Sequence, residues 1–239
     1  QLCARYLAGF ILDQSIIVAG RKGNLLHVDC LSNERRQLAA PEEMPVFDAL
    51  VVHSGVMQSL VTTGYNQRVA ECEEAARRLL EMAGEPIPDR PRLRCVPKAA
   101  FEAHGAGLPD PLSRRAAHFF SENDRVAEGA KAWAAGDLVR FGALVNASGQ
   151  SSIDNYECGS PPLIALYEIL RGQKGVYGTR FSGAGFRGAC AALIDPPRRE
   201  EIEAEVCRRY PEQCPDYRER FSVHVCGTDD GARIEEAAP

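Results

Sequence analysis

The chain lacks several features that would have set its class at once. Its nine cysteines include no C-x-x-C pair, and its five histidines are not spaced to complete a zinc site. That excludes a zinc module and fits reduced thiols, which we expect to be buried in a reducing, cytoplasmic compartment. No apolar run approaches the roughly 18–20 residues that span a membrane. The opening "QLCARYLAGFILDQSIIVAG" breaks its apolar character at Arg5, Asp13 and Gln14, unlike a secretory signal. Positive charge is not in excess either. Lys and Arg number 28 against 33 Asp and Glu, a net charge of −5, so nucleic acid is not an expected partner. There is no Walker A sequence, no internal repeat and no low-complexity tract. The chain also lacks an initiator Met, and we expect it to be a piece of a longer protein.

What is present is an ordinary globular composition over 239 residues, 45% hydrophobic and 26% charged, enough for one large domain or two small ones. "NLLHVDC" (24–30) and "RRQLAA" (35–40) read as two strands joined by a polar turn, and "VFDALVVHSG" (46–55) as a buried strand. From Tyr65 to Met82, apolar Val69, Cys72, Ala76, Leu79 and Leu80 follow helical spacing, with Gly84 as the stop. Residues 84–97 carry four prolines and read as a loop. A long helical zone covers about 111–149, broken in two at Gly136-Asp137, and "PPLIALYEILRG" predicts a further helix. Then come strand 175–182, a glycine loop, strand 189–195, a charged helix from Arg198 and a last strand at 221–226. From Val46 onward this is the βαββαβ order of a ferredoxin-like fold with extra helices in its first crossover, an α+β class.

Glycines 183, 185 and 188 in "FSGAGFRGACAAL" have the spacing G-x-G-x-x-G. A dinucleotide fingerprint requires a helix immediately afterwards to receive the pyrophosphate. Here "ACAALID" ends at Asp195-Pro196-Pro197, too soon for such a helix, so the dinucleotide reading is rejected. Two readings remain: a tight strand-to-strand connection that needs positive φ, or a run of backbone N–H groups cradling an anion.

Several segments together resemble the GHMP sugar kinases, the family of galactokinase. "GVYGTRFSGAGFRGACAAL" is similar to their third motif, a glycine-rich loop between strands of the C-terminal domain. "ILDQS" (11–15) resembles their M-D-Q segment, "HSGVMQSLVTTGYNQRVAECEEA" (53–75) their Y-N-x-R-x-x-E-C segment, and "FFSENDRVAEGAKAWAAGDLVRFGALVNAS" (119–148) their T-E-N-x-R-V helix. "NASGQSSIDNYECGSPPLIALYEIL" and the arginine of "GAGFRG" resemble most the branch that acts on galacturonate. The resemblance implies a GHMP-kinase fold, with residues 1–43 a remnant of the N-terminal domain and 44–239 the C-terminal domain. It implies ATP and Mg²⁺ as cofactors, a small sugar or sugar acid as substrate, and phosphorylation of its anomeric hydroxyl. Galactokinase activity, or a non-catalytic sugar sensor of the same fold, are the alternatives.

By the same resemblance, Asp13 falls on the catalytic aspartate and Tyr65 on a tyrosine that contacts the sugar. Gly183, Ala184, Gly185, Phe186 and Gly188 form the loop near the phosphates. Arg187, within that loop, is expected to meet a sugar carboxylate or the ATP phosphates, since a guanidinium pairs bidentately with either; the alternative is an arginine that shapes the turn by bonding loop carbonyls. The family's first motif and its G-L-S-S-S-A phosphate loop do not occur in these residues, and no metal ligand is assigned within them. Kinase activity is therefore not expected from the chain alone. Exposed core-facing surface is expected over residues 1–40.

Overall fold

The computed structural model describes residues 11–57, 64–183 and 185–233, with side chains from Gln14 onward. Of the expectations above, those for Cys3, for Ala184 and for the part of segment 1–43 before Ile11 lie outside the described residues.

The chain begins with helix α1 (Ile11–Ala19) and a hairpin of β1 (Asn24–Val28) and β2 (Arg35–Ala39). The hairpin pairs antiparallel from Asn24 opposite Ala39 to Val28 opposite Arg35, as the two polar-bounded runs predict. Strand β3 (Asp48–His53) and helix α2 (Tyr65–Met82) follow. Gly84 ends α2 in a left-handed conformation at φ 69°, and Glu85 N–H bonds back to the Leu80 carbonyl at 2.9 Å. Next come α3 (Lys98–His104), α4 (Leu112–Ala134) and α5 (Leu138–Asp154). The break between α4 and α5 is the expected one. Gly136 has φ 68°, and the Asp137 side chain accepts the Arg140 N–H at 2.8 Å, capping α5. The remaining elements are α6 (Pro161–Arg171), β4 (Val176–Phe181), β5 (Ala189–Ile194), α7 (Arg199–Gln213) and β6 (Ser222–Cys226).

Strands β3 to β6 form one antiparallel sheet in the order β4-β5-β3-β6, so the first and last strands of the unit are neighbours. This is the ferredoxin-like topology read from the element order. Alternate residues Leu50 and Val52 of β3, and Cys190, Ala192 and Ile194 of β5, face a core with α6 and α7. Helix α6 buries Leu163, Leu166, Tyr167 and Leu170, and α7 buries Ile202, Val206 and Tyr210 one turn apart. Each such side chain contributes about 1.5–3 kcal/mol when fully buried. A second core joins Ala76, Leu79 and Leu80 of α2 to Ala100, Leu112, Ala116 and Phe120 of α3 and α4.

Helix α5 closes the free edge of β4. Asn146 accepts the Thr179 N–H at 2.9 Å and donates to the Tyr177 carbonyl at 3.5 Å, so a side chain completes the ladder where no strand does. The approach is so close that a Cβ on Gly142 would lie 2.1 Å from the Tyr177 carbonyl oxygen.

The cysteines correct one expectation. Cys158 and Cys190 are buried, but Cys30, Cys95, Cys207 and Cys226 are exposed; the eight described cysteines are all free thiols. Cys226 lies on the edge strand β6, facing outward, and Cys207 on the outer side of α7. The expected apolar exposure near the N-terminus is present at Ile16, Ile17, Val18 and Leu31.

Candidate active site

The glycine loop is built by the β4–β5 hairpin. Ser182 N–H bonds the Ala189 carbonyl at 2.8 Å and closes residues 183–188 into a loop. Gly183, Gly185 and Gly188 have φ of 72°, 75° and 97°, the left-handed region that L side chains avoid. Gly185 is constrained twice, because a Cβ there would also lie 2.8 Å from Cys158 Sγ. The far end of the loop is tied to β3. Ser54, fully buried, donates both its N–H (2.8 Å) and its hydroxyl (2.7 Å) to the Gly188 carbonyl. The Ser54 carbonyl in turn accepts the Tyr210 hydroxyl of α7 at 2.7 Å.

Phe186 packs on the sheet core, and a Cβ on Gly64 would sit 3.6 Å from its ring. The loop is thereby placed against the start of α2, where Tyr65 is the first residue. Arg187 is exposed, and among the described residues it has no hydrogen-bond or ion-pair partner.

Tyr65 lines a cavity of about 530 Å³ between α2, α4, the hairpin turn and the 92–94 segment, with Cys72, Arg92, His118, Phe119 and Tyr156 among its walls. Arg187 is not on that wall. The structure therefore brings the glycine loop beside Tyr65 without placing Arg187 in the Tyr65 cavity. Asp13 lies in α1, and its side chain is outside the described residues.

Sequence reasoning missed the charged network beneath this cavity. The Arg115 side chain, fully buried, bonds Glu71 at 2.6 Å and Glu157 at 2.5 Å. Arg68 reaches the Tyr156 carbonyl at 2.8 Å, Arg114 the Asp154 carbonyl at 3.2 Å and Arg115 the Asn155 carbonyl at 2.5 Å. Three arginines thus satisfy the carbonyls left open at the C-terminus of α5. They hold Glu157 in a left-handed conformation, φ 53°, and the next residue is the Cys158 that backs Gly185. The partners are separated by about 40 to 90 residues in sequence, so no local spacing could have revealed them.

The electrostatics follow from this packing. Burial raises the Glu71 carboxyl, but hydrogen bonding to Arg115 and its charge lower it further, and the net direction is down. Hydrogen bonds from Arg115 and Arg114 likewise lower Glu157. Burial pushes His118 down to about 4, so at neutral pH it is an uncharged ring, bonded to the Ser151 hydroxyl at 2.9 Å and stacked on Tyr156. Burial pushes the Cys72 thiol up to about 11, which leaves it protonated and a poor nucleophile. The cavity wall thus combines a neutral imidazole and aromatic faces with the charged side chains of Glu73, Arg92, Arg94 and Glu122, groups able to hydrogen-bond a polar ligand. Among the described residues no group of three or more His, Cys, Asp or Glu side chains could hold a metal ion.

A ferredoxin-like sheet with a positive-φ glycine loop between two of its strands is the frame of the GHMP-kinase fold. Lactococcus lactis galactokinase, solved with galactose, matches it with a TM-score of 0.79 and 28% identity over 92% of this chain and 55% of that one. Residues 128–212 match the family model "GHMP kinases C terminal". The chain carries a GHMP kinase C-terminal domain, and it is galactokinase-like. It is 45% identical to Arabidopsis thaliana galacturonokinase over 94% of its length, and 34% identical to the galactokinase of Roseiflexus sp. (strain RS-1) over 92%. It spans about half the length of these relatives, 54% of each.

Proposed function

We propose that this chain is the C-terminal portion of an ATP-dependent cytoplasmic sugar-1-kinase whose substrate is D-galacturonate, with residues 1–43 belonging to the N-terminal domain and 44–239 forming the C-terminal one. Arg187 carries the substrate class. It is an exposed guanidinium on a loop of positive-φ glycines, and no described residue neutralises it. No described loop carbonyl takes its hydrogen bonds, which favours ligand recognition over turn shaping. Galacturonate differs from galactose by a carboxylate at C6, and a guanidinium pairs with it bidentately. The 45% identity to a galacturonokinase supports the same choice.

In the reaction, Asp13 orients the anomeric hydroxyl and accepts its proton. The hydroxyl oxygen bonds to the γ-phosphorus, the bond to the β–γ bridging oxygen breaks, and ADP leaves. Tyr65 packs on the sugar, and the loop of Gly183, Ala184, Gly185, Phe186 and Gly188 lies along the phosphates. The described residues do not fit a Mg²⁺ site, so no step is routed through the metal.

Calorimetric titration of D-galacturonate and D-galactose into the chain tests this. The wild type is expected to bind galacturonate more tightly. Arg187→Gly is expected to weaken galacturonate tenfold or more, about 1.4 kcal/mol, and leave galactose unchanged. Equal loss on both sugars would sink the carboxylate assignment, and tighter galactose binding by the wild type would favour a galactokinase.

A further inference from the structure

Helix α1 has nine residues, a length that is marginal in isolation. Packing encloses it on one side only, since Ser15 is buried while Ile16, Ile17 and Val18 are exposed. A helix also leaves its last carbonyls without partners of its own. In α1 these are taken up from elsewhere. The Ala19 carbonyl accepts from Gln37 Nε2 of β2 at 2.5 Å. The Ile17 carbonyl accepts from the Ala232 N–H at 2.5 Å, and the Gly20 carbonyl from the Gly231 N–H at 3.0 Å. The turn after the helix is held by the same tail: Lys22 N–H donates to Asp230 Oδ1 at 3.0 Å and Gly23 N–H to Thr228 Oγ1 at 3.1 Å. The two backbones nearly touch, because a Cβ on Gly231 would lie 2.6 Å from the Ile17 carbonyl oxygen.

We propose that residues 228–232 are a positioning clamp for α1, and through it for Asp13. The tail leaves the sheet from β6, which pairs directly with β3, the strand whose end anchors the glycine loop through Ser54. The clamp therefore refers the helix carrying Asp13 to the same strand that fixes the loop carrying Arg187. Reacting groups must be held to within a fraction of an ångström, and a 1 Å displacement costs on the order of a hundredfold in rate. Gly231, Thr228 and Asp230 act through α1 and not on a ligand. The proposal rests on the role given to Asp13 above.

Three variants of the full chain, Gly231→Val, Thr228→Val and Thr228→Ser, separate positioning from bulk stability. Hydrogen exchange is followed over residues 14–20 and over β3 and β5, alongside calorimetric binding of D-galacturonate. Gly231→Val is expected to speed exchange in α1 at least tenfold, leave β3 and β5 unchanged and weaken galacturonate binding at least fivefold. Thr228→Val is expected to do the same by about threefold, and Thr228→Ser to restore the wild-type values. If Gly231→Val does not fold, the threonine pair carries the comparison. Unchanged protection of α1 overturns the clamp, and so does faster exchange with unaltered galacturonate affinity. Asp13→Asn is the separate control. If it binds galacturonate as tightly as the wild type, the assignment of Asp13 to the sugar site fails, and the exchange measurements still decide whether the tail holds the helix.

Discussion

The four-stranded sheet and the β1–β2 hairpin are both antiparallel, yet they are secured in opposite ways. The sheet is covered by α6 and α7 and closed at its β4 edge by α5, and its inward residues on β3 and β5 are buried. The hairpin has no buried residue in either strand. It is attached at points. The Trp133 indole N–H of α4 donates to the Leu38 carbonyl at 3.0 Å, and Arg94 pairs with Asp29 at 2.8 Å. The lesson is one of redundancy. Removing a single contact from a dense core is felt throughout it, while a point-anchored element opens locally.

The comparison can be broken most severely at Arg115. Arg115→Ala removes the buried guanidinium that joins Glu71, Glu157 and the Asn155 carbonyl, leaving Glu71 with Arg68 alone as its cationic partner, and a loss of about 3 kcal/mol in urea unfolding is expected. A loss under about 1 kcal/mol would show that the network is peripheral to the fold. Gly142→Val drives a side chain into the Tyr177 carbonyl and should cost about 3 kcal/mol while detaching α5 from β4. Unchanged protection of the Thr179 amide in that variant would contradict the edge-closing role of α5.

His118 gives a pH test of the helical layer. Its folded value, about 4, lies below its ordinary 6.5, so between those values the unfolded chain binds more protons and stability falls as pH drops. The expected contribution is on the order of 2 kcal/mol between pH 6.5 and 4, and His118→Gln should flatten that part of the profile. Glu71 and Glu157, both lowered, lose their contribution at lower pH still, as they protonate. The smallest effect is expected at the hairpin. Trp133→Phe keeps most of the packing on Phe47 and Phe141 but removes the bond to Leu38, about 1 kcal/mol. Exchange should quicken in β1 and β2 only; equal quickening in β3 would mean that the hairpin is part of the core unit.

Much of this was legible in the chain itself. Helix α2 begins at Tyr65 and ends at Met82 as its apolar spacing predicts, because its periodicity is long and its stop is a glycine. The Gly136-Asp137 break and the order of sheet elements were equally plain. Two helices were not. Helix α3 has seven residues, too few to show a period, and α1 has an apolar side that faces solvent. The expected end of the long helical zone at 149 also falls short, since α5 runs on to Asp154. Its polar Ser148, Ser151 and Ser152 are buried, and Gly149 is required there because a Cβ would meet the Tyr167 ring at 2.4 Å.

The sequence by itself determined the elements, their order and the motifs that mark the sugar-kinase loop, because helical period, glycine stops and strand runs are local properties. Only the tertiary structure decided the long-range pairings: Cys158 beneath Gly185, three arginines on the end of α5, Asn146 on a strand edge and the C-terminal tail on α1. Those pairings join residues from about 30 to more than 200 positions apart. Chain closure over such distances carries no local signature, and the partners are set by which backbone groups need a hydrogen bond and where the packing leaves room.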